Sequence, residues 1–210
     1  MEQTMIKQLI DEVVGRIHKE LFIEVEASGR HVHLSQEDLE TLFGAGYELT
    51  PSQELSQPGQ FACKERVVLI GSKGVLQNVV VLGPVRKQTQ VELSLTDAVA
   101  LGIPGVIKES GDLDGTPGIT IASAKAAVKI DQGAIVAKRH IHINPEDAAK
   151  FGVADKELVQ VKVHGKRPLI FDDVVIRVSP KYRTYMHIDY DEANACGFKK
   201  NETFAQIVKR

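Results

Sequence analysis

One short pattern recurs four times and constrains how the chain is built: His33-Leu34-Ser35-Gln36-Glu37-Asp38, Glu92-Leu93-Ser94-Leu95-Thr96-Asp97, His142-Ile143-Asn144-Pro145-Glu146-Asp147 and His187-Ile188-Asp189-Tyr190-Asp191-Glu192. The third residue of each copy (Ser35, Ser94, Asn144, Asp189) is a good helix N-cap. The acid three residues later (Asp38, Asp97, Asp147, Glu192) can close a capping box or sit against the helix dipole. Each copy then ends on a glycine (Gly44, Gly102, Gly152, Gly197), the residue that most easily turns a helix C-terminus left-handed. The first slot of the pattern is therefore the end of a strand, one apolar residue before a capped helix. Four times over that slot holds a residue able to ligate a metal, and His31 and His140 stand two residues upstream of two of the copies.

With 210 residues the chain is long enough for one large or two small domains with a real core. A net charge of −2 and a pI near 6.4 give no basic surface for nucleic acid. Two cysteines, Cys63 and Cys196, make neither a disulfide framework nor a CxxC pair, which fits a reducing interior. No basic leader and no long apolar run is present, so a soluble cytoplasmic protein with no membrane contact is expected.

Ile6, Leu9, Ile10, Val13, Val14, Ile17 and Leu21 fall at helical spacing, predicting an amphipathic helix over residues 1–19 that docks on its own domain or on a neighbouring subunit. Ile23–Ala27 alternates as a half-buried strand, and the turn-rich residues 44–64 predict a hairpin excursion. Further on, short β-branched runs at 67–70, 79–82, 119–121, 158–163 and 174–178 are separated by turn residues. Many short strands with few short helices predict a mainly β fold of small barrels. Arg30-His31-Val32-His33 recurs as Arg139-His140-Ile141-His142, 109 residues on (139 minus 30) and close to half the chain, so two similar barrels related by duplication are expected. Pseudo-symmetry would bring the module mouths together at their junction, where ligand sites commonly lie.

Residues i and i+2 of a strand point to one side, so His31 with His33, and His140 with His142, can each chelate one metal. Adding His187 and Glu92 gives five imidazoles and one carboxylate. That donor set suits two zinc ions and leaves coordination positions open for substrate or water. Arg86 stands six residues before Glu92 and could bind an oxyanion bidentately; on spacing alone, a surface arginine at a Gly-Pro turn is the simpler reading. Phosphate loops, dinucleotide fingerprints, serine-hydrolase elbows and zincin helices have no matching motif.

The segments GRHVHLSQEDLETLFG (29–44) and KRHIHINPEDAAKFG (138–152), with GPVRKQTQVELS (83–94) and MHIDYDEANACG (186–197), resemble the PduL-type phosphotransacylases. These are the phosphate propanoyltransferases and acetyltransferases of bacterial microcompartments for propanediol or ethanolamine use. The resemblance runs from Ile23 to the C-terminus. It implies two pseudo-symmetric six-stranded β-barrels capped by short helices, one from 20–29 with 138–210 and the other from 30–137. It implies two zinc ions, one at His31 and His33 and one at His140, His142 and His187, with Glu92 between them as a ligand and Arg86 binding phosphate. It also implies reversible transfer of a short acyl group from coenzyme A to phosphate, giving acyl phosphate. The N-terminal helix gains a second meaning as a segment for assembly or for entry into a microcompartment through shell or core proteins, and a homo-oligomer is expected. Two other readings remain: a two-metal hydrolase of thioesters or phosphoesters, and a non-catalytic module whose zinc is structural.

Overall fold

The computed structural model describes residues 6, 7, 10, 12, 13, 15, 17 and 20–208. Its strands are β1 (Ile23–Ala27), β2 (His31–His33), β3 (Pro51–Glu54), β4 (Phe61–Ile70), β5 (Val75–Gly83), β6 (Gln90–Leu93), β7 (Ile107–Lys108), β8 (Ile119–Ala122), β9 (Ala127–Ile130), β10 (Ala134–Ala137), β11 (His140–Ile143), β12 (Leu158–His164), β13 (Leu169–Val178), β14 (Tyr185–Ile188) and β15 (Phe204–Val208). The four modules supply four short helices, α1 (Gln36–Phe43), α2 (Leu95–Leu101), α3 (Pro145–Phe151) and α4 (Tyr190–Cys196).

Each helix starts as its sequence dictates. The side chains of Ser35, Ser94, Asn144 and Asp189 accept from the backbone N–H of Asp38, Asp97, Asp147 and Glu192, and α2 and α4 close full capping boxes. Three of the helices end on a left-handed glycine: Gly102, Gly152 and Gly197, at φ 72°, 65° and 62°. Gly44 departs from this. At φ 118° and ψ 156° it sends the chain out of α1 toward the β3–β4 hairpin, an excursion the other modules lack.

Strands β1-β14-β11-β13-β12-β15 close into a six-stranded barrel. The other half runs β7-β10-β6-β2-β5-β4-β8-β9, with β3 added on β4. Inside it lie six strands, β10-β6-β2-β5-β4-β8, whose successive pairings repeat the barrel's sequence of parallel and antiparallel ladders. This half is a curled nine-stranded sheet. Where β1 pairs with β15 to close the barrel, β10 meets the start of β8 through one bond, Ala134 N–H to Pro117 O at 3.0 Å. Even the backbone irregularities repeat: Asn78 in β5 and Asp173 in β13, 95 residues apart (173 minus 78), both sit at φ 57°, a conformation their short polar side chains tolerate.

Two crossings of the chain weld the halves. β1 precedes β2 in sequence but pairs with β14 of the barrel, and β10 precedes β11 but pairs with β6 of the open sheet. The polypeptide therefore passes from one half to the other at residues 28–30 and again at 138–139. Beside each crossing an arginine grips the acid of a module helix: Arg30 with Asp97 at 2.7 Å, and Arg139 with Glu192 at 2.9 Å.

The cores are separate. One gathers Val25, Ile141, Ile143, Val161, Ile176, Met186 and Ile188 inside the barrel. The other gathers Val32, Leu34, Val67, Leu69, Val81, Val91 and Ile121 under the curled sheet. Cys63 and Cys196 are buried free thiols. Among the described N-terminal residues the backbone is helical at 6, 7, 10, 12, 13, 15, 17, 20 and 21. Ile6, Ile10, Val13, Ile17 and Leu21 are 46–54% exposed, so these five residues of the stripe are not buried on this chain. Leu9 and Val14 of the expected stripe lie outside the described residues.

Candidate active site

Strand alternation aims the site. Val32 and Leu34 enter one core, so His31 and His33 face away from it; Ile141 and Ile143 enter the other, so His140 and His142 do likewise. Val91 and Leu93 turn Glu92 out of β6, and Met186 and Ile188 turn His187 out of β14. Antiparallel pairing then sets Glu92 opposite His31 and His187 opposite His140. Two three-donor clusters result, His31–His33–Glu92 and His140–His142–His187, the ligand-capable atoms of each lying within 4.8 Å of one another. In the first, Glu92 Oε2 is 3.4 Å from His31 Nε2 and Oε1 is 3.9 Å from His33 Nε2. In the second, the His140 and His187 rings stack at 5.1 Å between centroids, with His142 4.6 Å and 4.8 Å from them. Both clusters open into one cavity of about 670 Å³ lined from the two halves.

The backbone fixes the first histidine of each pair. His31 Nδ1 lies 2.8 Å from Gly29 O and His140 Nδ1 lies 2.8 Å from Lys138 O. A carbonyl only accepts, so each Nδ1 carries a proton, and in the neutral ring Nε2 is then the atom with a lone pair. Gly29 holds its crossing because a Cβ there would stand 2.9 Å from the Tyr190 ring. The second histidines differ: His33 Nδ1 and His142 Nδ1 are buried with no hydrogen-bond partner among the described residues. The Leu82 main chain lies against the His33 ring and favours its protonated form, although Nδ1 makes no hydrogen bond of good geometry. An orphaned buried polar nitrogen is costly, and here it recurs at repeat-equivalent positions. Two nitrogens with one carboxylate, or three nitrogens, form donor sets of the open zinc type.

Burial keeps four of these five imidazoles, His33, His140, His142 and His187, in the neutral form that can ligate. Burial, followed by the nearby His31 and Arg86, pushes His33 down to about 3. Burial, with His140 and Arg177, does the same to His142. His187 falls well below its ordinary value for the same reason, and His140 falls despite the Lys138 carbonyl. For His31 burial acts downward, but the Glu92 carboxylate overrides it and raises the pKa. Glu92 is pulled far down against the opposing effect of burial, by His31, His33 and Arg86. Its charge also reaches His140, His142 and His187 across the cavity.

Arg86 is no exposed turn residue. Its backbone N–H donates to Leu34 O at 2.9 Å, bridging the loop to the end of β2, and its guanidinium reaches Ser110 Oγ at 3.1 Å. Ser110 in turn donates to Glu92 Oε1 at 3.0 Å, and Gln90 donates to Ser110 at 2.9 Å. Burial lowers the Arg86 pKa below its ordinary value while Glu92 opposes. A threonine latches this loop to the module: Thr89 accepts from the Ser35 N–H at 2.9 Å and donates to the Asp38 carboxylate. Thr184, at the equivalent position, donates to Asp147.

The structure adds residues that sequence reasoning passed over. Gln57, at the tip of the 44–64 excursion, is buried, donates to Arg183 O at 3.0 Å and lies 3.4 Å from His187 Nε2, reaching from one half into the other. Gln90 and Ser110 had no signal beyond being polar. Arg177 had one: a single charge in the apolar run Val174–Val178.

Set beside its relatives, a junction of two β modules carrying paired donor clusters and a half-buried arginine defines an enzyme that transfers acyl groups. A family profile described as phosphate propanoyltransferase matches residues 24–199. The chain is 60% identical to the phosphate propanoyltransferase of Clostridioides difficile (strain 630) over 99% of both chains. It is 60% identical to that of Listeria monocytogenes (strain EGD-e) over 100% of this chain and 98% of the relative, and 56% identical to that of Thermotoga maritima over 90% and 91%. The chain belongs to the phosphate propanoyltransferase family. Among the described residues no helix is long and apolar enough to cross a membrane.

Proposed function

We propose that this enzyme transfers a short acyl group, propanoyl or acetyl, reversibly between coenzyme A and inorganic phosphate, with two zinc-type cations at the junction. His31, His33 and Glu92 would hold one cation and His140, His142 and His187 the other. The observation that carries the reading is the pair of three-donor clusters, His31–His33–Glu92 and His140–His142–His187, facing one cavity. Such cations, when bound, supply Lewis acidity, which keeps a thiol as thiolate and polarises an oxygen on which charge develops.

The chain's own residues do the rest. Arg86, half-buried and with its side chain hydrogen-bonded among the described residues to the neutral Ser110, holds phosphate as a two-pronged donor. The Leu34–Arg86 backbone bond and the Thr89 latch keep that guanidinium beside the Glu92 cluster. The shared cavity brings phosphate and thioester together, and its buried walls strengthen the charge interactions that orient them. Neither cluster contains a serine, threonine or cysteine, and in this reading phosphate attacks the thioester carbonyl directly while coenzyme A leaves as thiolate. In this reading residues 20–29 with 138–210 work as one unit and 30–137 as the other. The exposed stripe Ile6, Ile10, Val13, Ile17 and Leu21 supports a role for residues 1–19 in self-assembly or in docking to microcompartment proteins; deleting them and following particle size and encapsulation tests that role.

Thiol release from propanoyl-CoA with and without phosphate, beside metal analysis, tests the function. Strict phosphate dependence with two metal equivalents is expected. Release without phosphate would make the enzyme a hydrolase, and full activity after complete chelation would make the metal structural or absent.

A further inference from the structure

Arg177 is a charged residue of the cavity that no reading so far employs. It lies on β13, in parallel register with His142 on β11, so its side chain leaves the barrel on the same face as the histidines. Its neighbours Val174 and Ile176 belong to the barrel core. Three adjacent strands, β14, β11 and β13, thus present His187, then His140 and His142, then Arg177, in a row along one wall of the cavity.

Its surroundings lack an answering anion. Among the described residues Arg177 has no hydrogen bond or ion pair, although its charge bears on Arg86, His140, His142 and His187 at once. Glu109 also feels Arg177, but its carboxylate is engaged by Lys156 at 2.7 Å. Glu92 is engaged by His31, Ser110 and Gln90. Arg86 and Arg177 therefore approach one cavity from opposite halves, and neither forms a salt bridge among the described residues.

The internal repeat makes the point sharper. Residues 80–92 align with 175–187 at a constant offset of 95 (187 minus 92), matching Thr89 with Thr184 and Glu92 with His187. At that offset the counterpart of Arg177 is Leu82, on β5 beside β2, and Leu82 also lines the cavity. A leucine satisfies this strand position in one half. The guanidinium in the other half is thus not required by the fold.

We propose that Arg177 is a second anion-binding residue of the active site, gripping from the barrel the same phosphate, or phosphoryl end of acyl phosphate, that Arg86 holds from the curled sheet. This rests on the phosphate-dependent transfer proposed above. Two guanidiniums on opposite sides of one phosphate supply up to four charge-assisted bonds and relieve their mutual repulsion only when the anion is bound. The site takes a compact, doubly charged oxyanion, which a thioester is not.

The test is steady-state kinetics of the metal-loaded enzyme with phosphate and propanoyl-CoA varied separately, together with calorimetric titration by inorganic phosphate alone, on wild type, Arg177→Leu and Arg177→Lys. Leucine copies the repeat-equivalent residue and should leave the melting temperature and metal content in place. For Arg177→Leu we expect the KM for phosphate to rise about tenfold or more, the KM for propanoyl-CoA to stay within about twofold, and the heat of phosphate binding to collapse. Arg177→Lys, which keeps the charge and loses the fork, should fall between. An unchanged phosphate KM and binding heat in Arg177→Leu overturns the proposal, as does a change carried by propanoyl-CoA instead. If Arg177→Leu does not fold, Arg177→Lys decides: about a threefold rise in phosphate KM supports the proposal and wild-type values overturn it. If wild type itself releases thiol without phosphate, the transferase reading fails, yet the calorimetric comparison still decides whether Arg177 binds the anion.

Discussion

The hydroxyl of Thr89 donates to the carboxylate of Asp38, tying the loop that carries Arg86 to the helix that follows the His31–His33 strand. The same threonine accepts from the Ser35 backbone N–H, so one buried side chain serves both the helix cap and the loop. Thr89→Val keeps the shape and removes the hydroxyl. It should lower stability by about 1–3 kcal/mol, because the Ser35 N–H loses its acceptor and Asp38 loses a donor. It should also weaken phosphate use more than CoA use, since Arg86 is what the latch positions. Urea midpoints and separate KM values check this, and Thr89→Ser should restore both.

Arg86→Ala should depress kcat/KM by about a hundredfold or more, the scale seen when a buried donor to a reacting oxyanion is lost. Its side chain ligates nothing, so metal content should remain at the wild-type level. Thiol release with varied phosphate, read beside metal analysis, separates this outcome from general disruption. Near-wild-type turnover would remove Arg86 from the mechanism.

The two clusters share no donor residue, so they should empty one at a time. His33→Ala is expected to remove about one metal equivalent and leave the His140–His142–His187 site filled; His142→Ala should do the converse. Elemental analysis of the purified variants reads this directly. Loss of both metals from either variant would mean the sites are coupled.

The metal-free protein should lose stability as the pH falls. His33 and His142, held down to about 3, stay neutral in the fold while their unfolded counterparts protonate near 6.5. Between those values the unfolded chain binds more protons, so stability drops with decreasing pH, at up to about 1.4 kcal/mol per pH unit for each group. His140 and His187 act in the same sense. His31 opposes them: its raised folded value gives stability that is present below 6.5 and lost as the pH rises through that folded value. Urea midpoints of the chelator-treated protein at pH 7 and pH 5 should therefore decrease, and an equal or higher midpoint at pH 5 would contradict the buried neutral state.

Much of the site was legible because two periodicities wrote it. The period of two in Val32-His33-Leu34 and Ile141-His142-Ile143 sends the apolar residues into the cores and leaves the histidines outside, and the Ser, Asn and Asp caps fix where each strand must end. Arg86 was not legible from spacing, because its place beside Glu92 and Ser110 depends on a loop folding back so that its N–H meets Leu34 O. Gln57 was invisible for a similar reason: it reaches the His187 cluster from a hairpin that belongs to the other half of the molecule.

By itself the sequence determined the modules, their caps and the outward aim of six ligand-type residues, since these follow from local hydrogen bonding and side-chain alternation. Tertiary structure decided which modules meet. The crossings at 28–30 and 138–139 exchange β1 and β10 between halves, and long-range pairing sets Glu92 against His31 and His187 against His140. It also decided that one half closes as a barrel while the other curls and adds three strands. Above all it brought Arg86 and Arg177 to one cavity, because only the packed junction of two separately cored halves sets residues of both along a shared wall.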